Sequence, residues 1–351
     1  MKALVLSGGS GMRLRPFSHS MAKQMMPIAN KPVLEYVLLN IRALGVTEIG
    51  IIVGDRAQEI IDFAGDGSRF GARVTYIHQD RPLGLAHCVI LARSFLADDD
   101  FVMYLGDNML PHGVADVALD FAAQRPDAQV LVHKVADPRA FGVVELDVEG
   151  RVERLVEKPE DPRSDLGLIG VYFFTPAIHE AVASIEPSAR GELEITDAVQ
   201  WLLARGADVR ASEYAGYWKD TGRAEDVLDC NRRLLETLQP CIAGDVDAHC
   251  EIDGAVVVEA GARIVRSRIQ GPVIVGAGSV IEDSHIGPRT SIGRGCVLRR
   301  TGVTGSIVLD NASISGFAGL HDSIIGRNAS VSASARPRLV VGDDTRVEVP
   351  A

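Results

Sequence analysis

Residues 274–300 read IVGAGSVIEDSHIGPRTSIGRGCVLRR, and Ile274, Val280, Ile286, Ile292 and Leu298 stand six residues apart through that stretch. The positions between them are mostly small, polar or turn-forming. An aliphatic residue every six positions is the signature of a parallel β-helix, whose inward side chains stack from coil to coil. Ordinary hairpins would favour period two and would not hold a six-residue register across five successive positions. The same spacing links Val258 with Ile264, Val308 with Ile314, Ile325 with Val331, and Val341 with Val347. Register breaks around 265–274 and 299–307 read as loops or an irregular coil.

Upstream of about residue 240 the texture is different. Short apolar runs alternate with amphipathic segments, the pattern of an α/β domain with a largely parallel sheet. "KALVL", "EIGIIVG", "VTYIH" and "FVMYLGDN" read as strands, the last ending on Asp107. "PVLEYVLLNIRALG" reads as a helix stopped by Gly45. "AQVLVHKV", the hairpin "GVVELDVEGRVERLVEKP" and "GVYFFTP" continue the sheet, and a helix follows from near Pro176. Two domains are expected, residues 1–237 and 238–351, in a chain whose 351 residues exceed what one core usually supports.

The net charge of −11 argues against general affinity for nucleic acid or an anionic membrane, so an anionic ligand must meet locally placed cations. Cys88, Cys230, Cys241, Cys250 and Cys296 show no CxxC pair and no metal-ligand spacing, which predicts reduced thiols. No apolar run approaches a membrane span, and the six-residue N-terminal run leads straight into glycines; a cytoplasmic protein is expected.

Four pieces carry chemistry. "SGGSGMRLRPFSHSMAKQMMP" (7–27) follows the first strand, so backbone N–H groups at Gly8, Gly9 and Gly11 can approach a phosphate, with Arg13 and Lys23 adding charge. The loop lacks the endings of the Rossmann and Walker motifs. Asp107 ends a buried strand, where open α/β sheets bind ligands, although Asp-Asn is also good turn chemistry. Asp220 in "YWKDTG" reads either as a ligand or as an N-cap for a helix starting near Arg223. Two carboxylates completed by phosphate oxygens suit a hard cation such as Mg²⁺. Glu157 and Lys158 in "VEKPEDPRSD" can bind a hydroxylated, phosphorylated second substrate, or form a solvated turn.

Taken in order, "LSGGSGMRLRP", "KQMMPIANKP", "DRPLGLAH", "LGDN", "FGVVE", "EKPEDPRS", "GVYFF", "RGELEITD" and "WKDTG" resemble the sugar-1-phosphate nucleotidylyltransferases, and within them the glucose-1-phosphate thymidylyltransferases. The resemblance covers about residues 1–237. With the tail it points to the long form, a Rossmann-like (GT-A-like) nucleotidyltransferase domain with a mixed, mostly parallel sheet plus a C-terminal left-handed parallel β-helix.

The resemblance implies dTTP and glucose 1-phosphate as substrates, Mg²⁺ as cofactor, and a place in deoxysugar, antibiotic or cell-surface sugar biosynthesis; the flat sides that a single coil stack leaves exposed predict a homo-oligomer. It implies that Gly8, Gly9, Gly11 and Arg13 hold the nucleotide phosphates, that Lys23 lies near the reacting phosphates, and that Gln79 and Gly84 contact the base. Asp107 and Asp220 match the metal-binding aspartates. Gly142, Glu157 and Lys158 match the sugar-phosphate site, with Tyr172 beside them. Arg13, Lys23 and Asp107 form the catalytic set. Three residues depart from the pattern: Met12 replaces threonine, His87 stands where a small residue is common, and Gly167 replaces alanine. They leave open another nucleoside triphosphate (UTP, GTP or ATP) or a cyclitol or modified-sugar phosphate.

Two other classes compete. Left-handed β-helices also carry acyltransferases with a histidine general base, for which His285 and His321 are the candidates, against a reading as surface histidines. Regulatory subunits of this architecture lack catalytic charge, whereas Arg13, Lys23, Asp107 and Asp220 are all present here.

Overall fold

The computed structural model describes residues 1–333 and 344–345. Its backbone clusters into two compact units: Met1–Ser10 with Val33–Asp220, and Gly11–Pro32 with the chain from Thr221 onward. The change of sequence texture near 237 and the boundary of compactness do not coincide.

In chain order the first unit contains β1 (Lys2–Ser7), α1 (Val33–Ala43), β2 (Glu48–Val53), α2 (Ala57–Ala64), β3 (Arg73–His78) and α3 (Leu85–Leu91). There follow β4 (Phe101–Leu105), β5 (Asn108–Met109), α4 (Ala115–Gln124), β6 (Ala128–Lys134), β7 (Gly142–Leu146), β8 (Val152–Glu157) and β9 (Leu166–Phe174). The unit closes with α5 (Ile178–Ser184), α6 (Ile195–Ala204), β10 (Val209–Glu213) and β11 (Lys219–Asp220).

β4, β1, β2 and β3 lie side by side and parallel. The long β9 runs antiparallel to β4, β6 and β7, β8 pairs antiparallel with β7 at the sheet edge, and β10 runs parallel to β6, so the nine-stranded sheet is mixed. β1 is buried along its apolar run, as expected of a parallel strand covered on both faces. Phe101 and Phe174 anchor the core with ring centroids 5.5 Å apart, and Phe121 meets Phe173 at 5.4 Å. Because the parallel strands share one direction, Gly8, Gly54, Gln79 and Asp107 all follow their carboxyl ends.

The second unit holds a left-handed β-helix of three parallel sheets. Val258, Val275, Ile292, Val308 and Ile325 form one inward ladder; Ile264, Ile281, Leu298, Ile314 and Val331 a second; Ile269, Ile286, Val303 and Leu320 a third. This corrects the strict six-residue reading. Ile274 and Val280 stand one position off the inward row, and their neighbours Val275 and Ile281 fill the core instead. The slip arises because the corner between the second and third ladders is a residue short in three successive coils: Arg266, Asp283 and Arg300 turn there in the left-handed conformation (φ 43, 49 and 47°). Doublets such as Ile274–Val275 and Val280–Ile281 hide the shift, since either member passes as aliphatic. The segments 265–274 and 299–307 are not irregular; they continue the coil as strands. Val341 and Val347 lie outside the described residues.

At the short corners a hydroxyl ladder satisfies the backbone: Ser284 N–H donates to Ser267 Oγ (3.1 Å) and Thr301 N–H to Ser284 Oγ (3.2 Å). α7 (Ala224–Leu235) packs on the first sheet through Asn231, which is fully buried. Its Oδ1 accepts from Ser291 Oγ (2.6 Å) and from Ala29 N–H (2.8 Å). Ala29 and Asn30 turn the Pro27–Ile28/Lys31–Pro32 hairpin at φ 46 and 62°, and Asn30 Nδ2 donates to Ile292 O (2.7 Å). The five cysteines are all free thiols, three of them buried, with Cys241 exposed. No helix among the described residues is long and apolar enough to cross a membrane.

Candidate active site

At the first three strand ends the backbone is crowded. An ideal Cβ on Gly8 would lie 2.8 Å from Gln79 Oε1, and one on Gly54 would lie 2.7 Å from Gly8 O. The turns after β1, β2 and β3 therefore meet, and only glycine permits the approach of the first two. Gly54, which closes the run "EIGIIVG", carried no sign of this partnership in the sequence. Gly84 sits at φ 104°, and a side chain there would run into the Leu193 backbone. Leu193 N–H donates to Leu83 O (2.8 Å) while Ala86 N–H donates to Leu193 O (3.0 Å), which pins the start of α3. Gln79, 9 % exposed, reaches across to this turn.

β5 and β11 form a two-stranded antiparallel ribbon in which Asp220 is the register partner of Asn108, the residue after Asp107. Residues 113 apart in sequence thus bring two carboxylates to one place. Asp107 is 6 % exposed and lies in the tight turn between β4 and β5. Its Oδ1 accepts from Asn108 Nδ2 at 3.3 Å. Trp218 orients that amide: an indole N–H can only donate, and Trp218 Nε1 donates to Asn108 Oδ1 at 2.7 Å, so the Asn108 amino group is turned to the aspartate. The Trp218 ring is held edge-on by Phe141 at 5.5 Å. Asp220 is part of a strand, and the N-cap position of α7 is Arg223. Two carboxylates at adjoining ribbon positions are a donor set that fits a hard divalent cation, the remaining ligands being phosphate oxygens.

The third cluster lies on the β7–β8 hairpin, where Gly142 and Glu157 are register partners. Thr196 Oγ1 donates to Glu157 Oε2 (2.7 Å), and Glu157 Oε1 lies 3.3 Å from both Lys158 Nζ and Arg190 Nη1. Arg190 also pairs with the buried Glu194 at 3.3 Å. Burial, and then the Glu157 charge, raise the Glu194 and Asp197 carboxyls above the usual range. A second anionic group therefore has cations to meet here, but only beside a standing negative charge. Tyr172 is a core residue, stacked on Phe174 at 5.9 Å, its phenol pushed up by burial and by Glu157.

The glycine-rich loop continues in the second unit. Gly11 turns at φ 65° and an ideal Cβ on it would lie 3.2 Å from the Cβ atoms of Lys23 and Ser18; Ser18 Oγ donates to Gly11 O at 2.7 Å. The loop is folded on itself, with Lys23 packed against Gly11 and Arg13 in the short 3₁₀ turn Met12–Leu14. Met12 is 65 % exposed.

Residues 2–237 match the model of the nucleotidyl transferase family. The chain belongs to that family. Its tail, residues 269–349, matches the GMPPB C-terminal domain. The nucleotidyltransferase is 57 % identical over 269 residues to a glucose-1-phosphate thymidylyltransferase of Streptomyces griseus, covering 77 % of this chain and 76 % of the relative. It is 46 % identical to the low-salt glycan biosynthesis nucleotidyltransferase Agl11 of Haloferax volcanii, over 75 % of this chain and 74 % of that one. A crystal structure from Bacillus anthracis, provisionally described as a glucose-1-phosphate thymidylyltransferase, superposes with a TM-score of 0.62 at 32 % identity, covering 66 % of this chain and 94 % of the other. Members of this family generally use a divalent metal.

Arg190, Glu194, Thr196 and Trp218 lie within "RGELEITD" and "WKDTG", but nothing local to the first three marks them as site residues. What could have flagged Trp218 is its place two residues before Asp220. His285 and His321 both stand at exposed positions on the third β-helix sheet; His285 Nε2 lies 2.8 Å from Gln270 Oε1, and His321 lies 3.7 Å from Asp322.

Proposed function

We propose that this nucleotidyltransferase makes dTDP-glucose from dTTP and glucose 1-phosphate. A phosphate oxygen of the sugar phosphate attacks the α-phosphorus in line; the bond from that phosphorus to the bridging oxygen breaks, and pyrophosphate leaves with the electron pair. The nucleophile is already anionic, so the chain's task is to orient two polyanions and offset the charge at phosphorus. In this reading Gly8, Gly9, Gly11 and Arg13 take the triphosphate, Lys23 the reacting phosphates, and Gln79 and Gly84 the base. Gly142, Glu157 and Lys158 receive the sugar phosphate, Glu157 through the sugar hydroxyls and Lys158 through the phosphate, with Tyr172 acting from the core behind them. Mg²⁺ held by Asp107 and Asp220 would supply Lewis-acid neutralisation of the phosphate oxygens.

The observation that carries the reading is the ribbon pairing that sets Asp220 beside the Asp107 turn. The Streptomyces relatives at 57 % identity, named for this reaction, support the choice of substrates. A homo-oligomer is part of the reading: Ile242 and Ile252, which open the inward ladders of the β-helix, are 49 % and 37 % exposed, an apolar end that a second copy would cover. Reaction between two metabolites of the cytosol would place the protein there.

A matrix of nucleoside triphosphates against sugar 1-phosphates with Mg²⁺, scored by pyrophosphate release, tests the proposal. The expected best pair is dTTP with glucose 1-phosphate, with UTP behind it by roughly ten- to a hundredfold, the worth of one methyl group in an apolar pocket. A preference for a purine triphosphate, or no release with any pair, would overturn it.

A further inference from the structure

His87 touches a residue assigned to the base. It lies on α3, whose start is pinned to Leu193, and its Nδ1 is 3.2 Å from Gln79 Nε2. Gln79 Nε2 also lies 3.5 Å from Gly84 O. A peptide carbonyl only accepts, so the amino end of the Gln79 side chain faces Gly84 and His87, and His87 must accept at Nδ1 and carry its ring proton on Nε2. Gly84 O, which can only accept, sets which way the amide points, and because that contact is long the shorter His87 bond holds the amide against it. Both amide hydrogens are then engaged. Gln79 Oε1 has no hydrogen-bond partner among the described residues, and it faces the turn at Gly8, where an ideal Cβ would lie 2.8 Å away.

We propose that His87 is a positioning residue that locks the Gln79 amide against Gly84 O, with its carbonyl oxygen toward the nucleobase, selecting bases with a ring N–H, the imide of thymine or uracil, against the ring-nitrogen acceptor of cytosine. The inference rests on Gln79 reading the base, as in the proposed function. Without the His87 acceptor the amide loses its shorter contact and can turn over. Its NH₂ would then meet an imide N–H donor to donor, and would suit cytosine instead.

The test compares pyrophosphate release from dTTP and dCTP with glucose 1-phosphate by the full chain, by His87→Ala, and by His87→Asn, whose Oδ1 can accept where Nδ1 did. The wild type should prefer dTTP by at least about a hundredfold, as a site built to hydrogen-bond its substrate does. His87→Ala should raise KM for dTTP about tenfold with kcat within about twofold, and cut the dTTP:dCTP preference by about tenfold or more. His87→Asn should recover most of that preference. A preference kept within about twofold by His87→Ala, or lost equally in the Asn variant, overturns the lock while leaving the base reading intact. Indifference of the wild type to the two bases removes Gln79 as reader, and the lock with it. If His87→Ala does not fold, His87→Leu, which fills the space and accepts nothing, takes its place.

Discussion

Both units are built on parallel strands, yet they use the strand ends in opposite ways. In the β-helix each strand runs into a tight corner, and the polar groups there satisfy one another, as Ser267, Ser284 and Thr301 do in their ladder. Asp283 is matched to Arg266 at 2.7 Å. In the α/β sheet the ends of β1, β2 and β3 open into turns that meet, and the Gln79 amide is aimed by its neighbours with its carbonyl oxygen left over. Parallel strands alone therefore create no site. Loops that converge on one edge of the sheet do, because they bring together groups from distant parts of the chain while leaving acceptors for a ligand.

The sharpest way to break this contrast is to neutralise a carboxylate in each unit. Asp107→Asn and Asp220→Asn should each lower kcat/KM by at least about a hundredfold, the scale of one lost transition-state electrostatic contact, whereas Asp283→Asn at a β-helix corner should change it by less than about twofold. Pyrophosphate release across a Mg²⁺ titration decides; near-full activity in both ribbon variants would end the metal assignment.

Next in size is the inward register of the β-helix. Leu298→Ala, at a fully buried ladder position, should cost about 3 kcal/mol in chemical denaturation, and Val280→Ala, one position off the ladder, less than about 1 kcal/mol. Equal costs would restore the strict six-residue phase.

The smallest expected effect concerns the acidic cluster at Glu157. The folded-state pKa of Glu194 is raised by burial and by the Glu157 charge. A raised carboxyl stabilises the fold below the ordinary carboxylate range, and that contribution is lost as pH rises through the folded value. As pH rises from about 4.5 toward neutrality the melting temperature of the wild type should therefore fall relative to that of Glu194→Gln. Parallel pH profiles would show that Glu194 ionises as it does in the unfolded chain.

Much of this was legible before any coordinates. Runs such as "KALVL" and "EIGIIVG" announce buried strands because a parallel strand is apolar on both faces, and every strand read in this way is present. The β-helix was legible as a class and misread in phase, because a one-residue corner deletion is invisible where two aliphatics stand side by side. Asp107 and Asp220 stood out as carboxylates beside turn residues. Their pairing did not, since ribbon register depends on contacts between segments far apart in sequence. Tyr172, inside "GVYFF", could be named from the sequence, but its packing in the core against Phe174 could not.

By itself the sequence determined the fold class, the two textures of strand and the inventory of charge, because these follow from local periodicity and composition. Only the tertiary structure decided which inward phase the β-helix takes, which amides aim which acceptors, and that Trp218, Asn108 and His87 do the aiming. Orientation is set by hydrogen bonds between residues that share no sequence neighbourhood, and a hydrogen bond is directional in a way that hydrophobic spacing is not.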